Sequence, residues 1–407
     1  MNIRPRFRVD DCLNMQRCKI AIVHPQLGWG GSEAVALWAL VALKDDYDVH
    51  LITAGTVDIP KINAFYGTNL DPSDFSILRV PLPLGLRKTT KFSALRWRFI
   101  QRHCQRIAPR FDLMVSGYNP CVFGVKGIQF VADLEALPTI LPLRNWKRWW
   151  YGKTPLRTTY LKLCDFVSPT NPDGWKENIS LANSAWTAEL MHRDYGVKAN
   201  VLYPPVSANF SGNPKRKRTN GFVCIGRIIP EKRIESIIEI LEGIRSKGHD
   251  IHLHIIGDAE NSPYAHNLRE HCRKRNPDWV SFEGRLDERS KNALIRKHAF
   301  GISGRKSEPF GIAVAEMVEA GGIVFVPDNG GQVEIVNHDN LVYNSVPDAI
   351  EKIDMVLGSK DVRNKLHQHL ATGNQRFSID YFQNGVRGVV SDFFKENILD
   401  NERLESS

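Results

Sequence analysis

The chain has 407 residues, of which 42% are apolar and 24% are charged, and its formal net charge is +9. This composition excludes intrinsically disordered and fibrous proteins, and the length favours two domains over a single core. The positive charge predicts attraction to anions, but nucleic acid, anionic lipid and diphosphate ligands all fit it.

The N-terminus and the cysteines bear on the compartment. Residues 1–8 carry charge where a signal peptide needs an apolar core, and no apolar run approaches the length that spans a bilayer. We therefore expect a cytoplasmic protein. The seven cysteines are scattered, with no Cys-x-x-Cys pair and no histidine nearby at metal-ligand spacing, so we expect reduced thiols and no metal site.

The first half of the chain alternates short apolar runs with helical or polar stretches. Lys19–Val23 predicts a strand, followed by a glycine loop over residues 28–33 and a helix whose apolar spacing starts at Val35. Further strands are predicted at residues 49–53, 113–116, 122–130 and 179–182. This alternation is typical of an α/β domain.

Residues 211–220 replace the apolar pattern with turn formers and charge, which indicates a domain boundary just before them. The alternation of apolar runs and helical stretches then resumes. Strands are predicted at 222–225, 251–256, 301–303 and 323–326, and helices at 234–245, 264–275, 287–298 and 312–319. This repetition predicts a doubly wound parallel sheet.

We therefore predict an α/β protein with two Rossmann-like domains. The first covers residues 1–206, the second residues 207–376, and a C-terminal segment residues 377–407. Two such domains facing each other would leave a central cleft at the carboxyl ends of their strands, where ligands bind in open α/β sheets. The strand-to-helix loops are thus where functional residues are expected.

The first of these loops contains Gly30 and Gly31. Glycines let a ligand approach main-chain amides, and the helix that follows offers its positive N-terminus to an anionic or polar group. The loop lacks the spacing of the dinucleotide fingerprint, so a glycine pair that only tightens the turn remains the alternative.

The first loop of the second half carries two cations. Arg227 and Lys232 lie five residues apart, between Gly226 and a predicted helix. Arginine grips a diphosphate with its planar fork and lysine acts as a point charge, so the pair could clamp a diphosphate. Two solvated cations at a helix start are the alternative.

The segment from residue 303 to residue 316 contains two carboxylates. Glu308 lies in a Pro-Gly turn, and Glu316 lies about 8 Å along a helix that starts near Gly311. A phosphate could bind the first amides of that helix while Glu308 reaches a sugar and Glu316 reaches ribose hydroxyls. The neighbours of Glu316 are apolar, which disfavours the alternative of two glutamates on a helix surface.

Several motifs follow one another in a fixed order. They are Gly30-Gly31-Ser32-Glu33, Ala182 to Thr187, Tyr203 to Val206, Gly226-Arg227, Pro230-Glu231-Lys232, Ile255 to Asp258, Phe282 to Leu286, Glu308 with Glu316, Ala320 to Ile323, and Gly330-Gly331 with Glu334. In this order they resemble the family-four retaining glycosyltransferases of the GT-B fold. Residues 182–187, 203–206 and 320–323 resemble the branch of lipid-linked-oligosaccharide mannosyltransferases.

The resemblance implies roles around the transferred sugar. Arg227 and Lys232 would neutralise the donor diphosphate, most strongly in the transition state, because charge builds up there. Glu308 would hydrogen-bond sugar hydroxyls without acting as a nucleophile. The amides of Gly30 and Gly31 would face the sugar.

The resemblance also implies roles around the nucleotide. The loop at Arg285 and Leu286 would hold the base, and Glu316 would bind the ribose. The amides expected to meet a phosphate are those of Phe310, Gly311 and Ile312. Neither a metal ion nor another cofactor is implied, because the cations would take the place of a metal.

The chain departs from the family at one position near the sugar. Many relatives have a histidine after a short apolar run in the first domain, where this chain has Gln129, and His24 at the end of the first strand is the other candidate for that side of the site. In relatives the C-terminal helix crosses back onto the first domain; here it is predicted to begin near Arg376 and to end near Phe394.

Two basic stretches lie in the first half. Residues 87–110 contain eight cations and no acid, interleaved with Phe92, Trp97 and Phe99, and residues 144–153 add an aromatic cluster. Such segments suit an anionic bilayer surface. They could also stack on single-stranded nucleic acid, but no nucleic-acid fold signature accompanies them, so no such partner is expected. Solvated helices with buried tryptophans are the alternative.

The sequence thus predicts a retaining, metal-independent hexosyltransferase. Its donor would be a UDP- or GDP-linked sugar and its acceptor a glycan or lipid-linked glycan, in the synthesis of cell-surface polysaccharide or glycoconjugates. A peripheral contact with the cytoplasmic face of a membrane is a further hypothesis. A sugar-nucleotide epimerase of the same fold is one alternative, which the spacing of Glu308 and Glu316 disfavours. A non-catalytic nucleotide-sugar-binding protein is the other.

Overall fold

The computed structural model of the chain describes residues 17–87, 92–134, 155–167, 171, 173–206, 218–258, 262–275 and 278–405. The chain divides into two compact units. The first unit consists of residues 1–205 and 379–407, and the second unit consists of residues 206–378. Each unit is built on a parallel sheet of its own.

The sheet of the first unit has seven strands in the order β3-β2-β1-β4-β5-β6-β7. They are β1 (Lys19–Val23), β2 (Asp48–Thr53), β3 (Ser76–Arg79), β4 (Leu113–Ser116), β5 (Ile128–Val131), β6 (Ile179–Ala182) and β7 (Ala199–Val201). Ile20 and Ile22 of β1 pack in one core cluster, and Ala21 and Val23 pack in another. Because alternate residues of a strand point to opposite faces, both faces of this sheet are covered.

Helices connect these strands. They are α1 (Gly31–Leu43), α2 (Ile59–Tyr66), α3 (Leu84–Arg87), α4 (Ser93–Ile107), α5 (Pro155–Val167) and α6 (Ala185–Tyr195). Local sequence explains where several of them start. At α6, for example, the hydroxyl of Ser184 accepts a hydrogen bond of 3.0 Å from the amide of Thr187, which is a standard N-cap.

The sheet of the second unit has the order β10-β9-β8-β11-β12-β13. Its strands are β8 (Thr219–Ile225), β9 (His252–Ile256), β10 (Val280–Gly284), β11 (His298–Ile302), β12 (Ile323–Pro327) and β13 (Val342–Tyr343). Its helices are α7 (Ile234–Ser246), α8 (Pro263–Arg275), α9 (Glu288–Lys297), α10 (Ile312–Glu319), α11 (Gln332–Val336), α12 (Val346–Gly358) and α13 (Lys360–Thr372). The predicted doubly wound α/β architecture is confirmed.

In both sheets the chain starts at a central strand, winds outward, and then returns to continue on the other side. In the second unit this reversal lies between β8 and β11, which are neighbours. Ligands of doubly wound sheets bind at the carboxyl ends of the strands at such a switch point. The loops that follow β8 and β11 are therefore where a ligand is expected.

The last helix, α14 (Ile379–Glu405), belongs to the first unit. Its Phe382 is fully buried in the core cluster that includes α1, and Arg387 Nε donates a hydrogen bond of 2.9 Å to the carbonyl of Ala42. The predicted end near Phe394 is wrong, since the helix continues to Glu405. The apolar pattern fades beyond Phe394, but the polar residues that follow can still extend a helix on its solvent side.

Candidate functional site

The loops after β8 and β9 are joined closely at the switch point of the second unit. Gly226 N donates to the carbonyl of Ile256 over 2.9 Å, and Ile228 N donates to the carbonyl of Asp258 over 3.0 Å. A Cβ atom at Gly257 would overlap the carbonyl oxygen of Gly226. Glycine at position 257 therefore allows the two loops to approach this closely.

Lys232, in the loop after β8, contacts the carboxylate of Glu308, in the loop after β11. Lys232 ends a short 3-10 helix, Pro230–Lys232, and its side chain passes beside Gly226, whose φ of +152° suits glycine. Its Nζ lies 2.7 Å from Glu308 Oε2, although 76 residues separate the two in sequence. We call residues 226–233 and 303–311 the switch-point loops.

Glu308 is fixed from several directions. Its carbonyl accepts a hydrogen bond of 2.8 Å from Gly331 N, and Gly330, at φ +111°, has room for no Cβ, which would lie 2.5 Å from that carbonyl oxygen. Arg305 Nη1 lies 3.4 Å from Glu308 Oε1, opposite the contact with Lys232. The carboxylate, 13% exposed, thus lies between two cations. Arg305 was not among the predicted site residues.

Helix α10 begins at Ile312, four positions after Glu308. Gly311 has the left-handed φ of +101°, and its carbonyl accepts from Val314 N over 2.9 Å, which starts the helix at Ile312. The first amides of a helix have no partner within it, so this end attracts anions. The ring of Phe310 is buried against Phe377, so this side chain is part of the packing of the second unit.

Glu316 lies further along α10 and is paired with Lys291 of α9. Lys291 Nζ lies 3.0 Å from Glu316 Oε1 and 2.9 Å from Glu288 Oε1. Burial raises the pKa of the Glu316 carboxyl, and the ammonium of Lys291 opposes that rise. The side chain is only 13% exposed, which excludes the alternative of a solvated surface glutamate. Lys291 was missed, although it lies on a predicted helix.

The remaining predicted residues of the second unit lie on its surface. Arg227 and Arg285 are exposed, and Leu286 is half-buried. Arg227 follows Gly226 in the first switch-point loop, whereas Arg285 and Leu286 follow β10 on the far side of β9. The structure thus brings Lys232 and Glu308 into direct contact and leaves Arg227 facing solvent.

The glycine loop of the first unit is ordered by a tyrosine. The hydroxyl of Tyr66 accepts a hydrogen bond of 2.9 Å from Gly30 N and donates one of 3.0 Å to the carbonyl of Gly28. The Gly30 amide is therefore already engaged, contrary to the expectation that it faces a sugar. Gly31 opens α1, so its amide belongs to the first turn of that helix.

His24 is buried behind this loop, with 1% of its surface exposed. Ser32 Oγ donates to Glu33 Oε2 over 2.9 Å, so its contact of 3.3 Å with His24 requires a proton on Nε2 of the imidazole. Burial lowers the pKa of His24 to about 4, against the opposing effects of Glu33 and the backbone of Gln26. The imidazole is therefore neutral at pH 7.

Gln129 is also completely buried, at 0% exposure. Its Nε2 donates to the carbonyl of Trp175 over 3.0 Å and to Ser180 Oγ over 2.9 Å, while Oε1 accepts from Asn178 Nδ2 over 3.0 Å and from Cys121 N over 3.3 Å. All hydrogen-bonding positions of the amide are filled. We therefore assign Gln129 to the packing of the first unit and correct its placement on the sugar side.

The basic stretch at residues 87–110 forms α4 over most of its length. Arg98 is 1% exposed and forms an ion pair of 2.8 Å with Asp165 of α5, and Trp97 is buried, whereas Arg102 and Arg106 are exposed. Arg98 therefore stabilises the fold as a buried ion-pair partner, and other cations of this stretch are exposed to solvent. The second basic stretch, 144–153, lies outside the described residues. Within the residues described, no helix is both long and apolar enough to cross a bilayer.

The second unit matches a known protein family. Residues 206–371 match the family described as glycosyl transferases group 1. The GDP-Man:Man(3)GlcNAc(2)-PP-Dol alpha-1,2-mannosyltransferase of Yarrowia lipolytica is 25% identical over 81% of this chain and 60% of its own length. Its namesake in Dictyostelium discoideum is 22% identical over 54% of this chain and 48% of its own length. The chain thus spans about half the length of the curated relatives it matches.

Solved structures share the whole fold. WaaG, a glycosyltransferase involved in lipopolysaccharide biosynthesis, matches with a TM-score of 0.65 and 15% identity, over 90% of this chain and 98% of its own. HepE of Anabaena, solved in complex with UDP and glucose, matches with a TM-score of 0.65 and 13% identity, over 92% of this chain and 99% of its own. At these identities the likeness establishes the fold, which is GT-B as predicted.

Proposed function

We propose that this chain transfers a hexose from a UDP- or GDP-linked sugar to a hydroxyl group of a glycan or lipid-linked glycan. The match of residues 206–371 to the family of glycosyl transferases group 1 supports this proposal. The contact of 2.7 Å between Lys232 and Glu308 carries the proposal, because it brings a phosphate-binding cation and a sugar-binding carboxylate together at the switch point. The names of the relatives make GDP-mannose the first donor to test.

The Lys232–Glu308 pair would open when the donor binds. Lys232 can turn its ammonium from Glu308 to a phosphate oxygen, since lysine acts as a point charge on a flexible stem. The Oε2 atom of Glu308 then accepts hydrogen bonds from sugar hydroxyls, while Arg305 remains near Oε1. The exposed guanidinium of Arg227 and the first amides of α10 supply further positive charge for the diphosphate.

Glu316 is proposed to hold the ribose. Lys291 occupies Oε1 at 3.0 Å and fixes the carboxylate, so that Oε2 is the oxygen offered to the two ribose hydroxyls. Arg285 and Leu286 are proposed to contact the base. In the first unit, the Gly31 amide is proposed to donate a hydrogen bond to a ligand oxygen. Neutral His24 is proposed to support the loop that contains Gly31 through its contact with Ser32.

The proposed reaction retains the anomeric configuration. The acceptor oxygen attacks the anomeric carbon from the face that the diphosphate leaves, the bond from that carbon to the phosphate oxygen breaks, and the acceptor proton passes to the departing phosphate. Negative charge grows on the diphosphate during this step, where Lys232 and Arg227 stabilise it without a metal ion. Glu308 positions the sugar and forms no bond to it.

The first unit is proposed to contact an anionic membrane on its cytoplasmic face, where a lipid-linked acceptor would lie. On α5, Leu163 is 59% exposed and Phe166 is 82% exposed, and both adjoin exposed Lys162. Arg102 of α4 reaches the end of α5 and donates to the carbonyl of Val167 over 3.1 Å. Apolar side chains flanked by cations suit the interface of an anionic bilayer.

Incubation with GDP-mannose and UDP-sugars, with and without a lipid-diphosphate oligosaccharide, tests the proposal. We expect release of nucleoside diphosphate together with a lengthened glycan, only when the acceptor is present and also in the presence of a chelator. A new nucleotide sugar formed without acceptor would indicate the epimerase instead. A thermal shift with donor but no product with any acceptor would indicate a binding protein.

A further inference from the structure

Three histidines gather on the sheet of the second unit, away from the switch-point loops. His252 and His254 are the first and third residues of β9, and His298 is the first residue of β11. The switch-point loops follow the last residues of β8 and β11. Because a five-residue strand spans about 13 Å, the cluster lies in the opposite half of the sheet.

A glycine on the intervening strand lets these side chains meet. β8 lies between β9 and β11, and its Gly221 pairs with His252. A Cβ atom at Gly221 would overlap Nε2 of His252 and Cδ2 of His298. The imidazoles of His252 and His298 therefore meet across the glycine with ring centroids 5.1 Å apart, and His254 lies 4.5 Å from His298.

Hydrogen bonds leave the inner nitrogens available. His298 Nδ1 contacts the carbonyl of Leu294 at 2.7 Å, and a carbonyl only accepts, so the proton is on Nδ1 and the lone pair is on Nε2. That Nε2 is buried without a hydrogen-bond partner in a side chain that is 1% exposed. His254 Nδ1 likewise contacts Glu283 Oε1 at 2.7 Å. A carbonyl or carboxylate on the outer nitrogen is the usual support of a metal-binding histidine.

We propose that His252, His254 and His298 bind one zinc-like divalent transition-metal ion through three imidazole nitrogens, with a fourth position for water. Their ligand atoms all lie within 4.8 Å of one another. Zinc bound at about 2.0–2.1 Å holds tetrahedral ligands about 3.4 Å apart, so ring rotations that move the nitrogens by about 1 Å complete the site. Imidazole nitrogen favours zinc, copper or nickel over magnesium and calcium.

The proposed ion would link β9 to β11 across β8 and stabilise the second unit. It lies apart from Lys232 and Glu308 and takes no part in sugar transfer. Its presence or absence is therefore independent of the proposed function. The alternative is that the three imidazoles only pack against one another as neutral rings.

Titration of chelator-treated, tag-free protein with Zn²⁺ tests the site, with Co²⁺ as a spectroscopic probe. We expect one ion per chain, visible absorption typical of four-coordinate cobalt, and a melting temperature that rises with metal. His252→Gln and His254→Gln, at partly exposed positions, should each weaken binding about a hundredfold, and Glu283→Gln about tenfold with the stoichiometry kept. Circular dichroism of the metal-free variants checks that they fold.

His338→Gln is the matched control, because His338 also lies beside another histidine, with its ring centroid 5.1 Å from that of His369. Its ring nitrogen already accepts from Asn340 N over 3.1 Å, so this variant should bind metal like the wild type. X-ray absorption of the wild-type complex should count three imidazole ligands. The proposal would be overturned if the wild type bound metal no more tightly than His252→Gln, or if His338→Gln lost as much metal affinity as His252→Gln. Fewer than three imidazole ligands would also overturn it.

Discussion

The two units hold their functional polar groups in opposite ways. In the second unit, Lys232 with Glu308 and Lys291 with Glu316 are charged pairs between different elements, and both carboxylates keep 13% of their surface exposed. In the first unit, His24 and Gln129 are neutral, at most 1% exposed, and bonded within the domain.

This difference separates two tasks. A charged pair at a partly open position can exchange one partner for an anionic ligand, because the ligand restores the lost interaction. The filled hydrogen bonds of Gln129 cannot be exchanged in this way without leaving a buried polar atom unsatisfied. We infer that the second unit supplies groups that rearrange around a donor, and that the first unit supplies a rigid frame.

Removing the charge of Glu308 tests the second unit most severely. Glu308→Gln keeps the size of the side chain but weakens its hold on sugar hydroxyls, so kcat/KM should fall about 10²- to 10³-fold. Steady-state transfer assays measure the change. Glu319→Gln, at an exposed position on the same helix, is the control and should stay within about twofold. Equal activity of the two variants would remove Glu308 from the site.

Lys232→Ala should lower kcat/KM about a hundredfold, since the ammonium stabilises charge that grows on the diphosphate in the transition state. The matched control is Lys306→Ala, which removes an exposed cation from the same loop as Glu308. If both variants lost activity equally, general attraction by the basic surface would explain the effect better than a placed cation.

Acid should destabilise the rigid frame through His24. In the folded chain burial holds its pKa at about 4, whereas the unfolded chain takes up the proton near pH 6.5. The stability from this neutral imidazole is complete above pH 6.5 and is lost as pH falls towards 4, with about 2 kcal/mol gone by pH 5. Chemical unfolding at pH 7 and pH 5 measures this loss. His24→Gln should reduce the difference, and an unchanged difference in that variant would contradict the assignment.

Glu316→Gln should weaken binding of the nucleoside diphosphate about tenfold, because one charged hydrogen-bond acceptor for the ribose is lost. The turnover number at saturating donor should change little, since the ribose does not react. Calorimetric titration measures the affinity, with Glu319→Gln again as control. A large fall in turnover with unchanged affinity would contradict the ribose assignment.

The smallest effect is expected at the surface of the first unit. Replacing Leu163 and Phe166 by serine should reduce sedimentation with anionic liposomes about three- to tenfold, through loss of apolar contact. Transfer to a water-soluble acceptor should persist. Leu399→Ser, which removes another exposed apolar side chain, is the control. Wild-type protein that stays in the supernatant would exclude the membrane contact.

Local features of the sequence predicted the local structure well. The strand Lys19–Val23 and the helix Ile312–Glu319 have the predicted bounds. A short continuous apolar run defines the strand, and helical apolar spacing after Gly311 defines the helix. Shorter strands such as β3 and β13 carried too few apolar residues to be predicted. The fold class followed from the repeated alternation of strands and helices.

Contacts between residues that are far apart in the chain could not be predicted from the sequence. Asp165, the partner of Arg98, lies 67 residues away, so a stretch without nearby acids could not reveal that one of its cations is buried in an ion pair. Lys291 and Glu316 are 25 residues apart on different helices. The histidine cluster depends on Gly221 and on the order of three strands, none of which a search for ligand spacing detects.

Proton NMR of the reaction between α-linked GDP-mannose and a lipid-diphosphate oligosaccharide analogue measures whether the transfer retains the anomeric configuration. We predict one new anomeric signal of α configuration, formed in step with free GDP only when acceptor is present, and suppressed in Glu308→Gln. The same experiment with each UDP-sugar extends the test to the other donors. A β-configured product would contradict retaining transfer. Turnover of any one of these donors without an acceptor would contradict transfer to an acceptor hydroxyl.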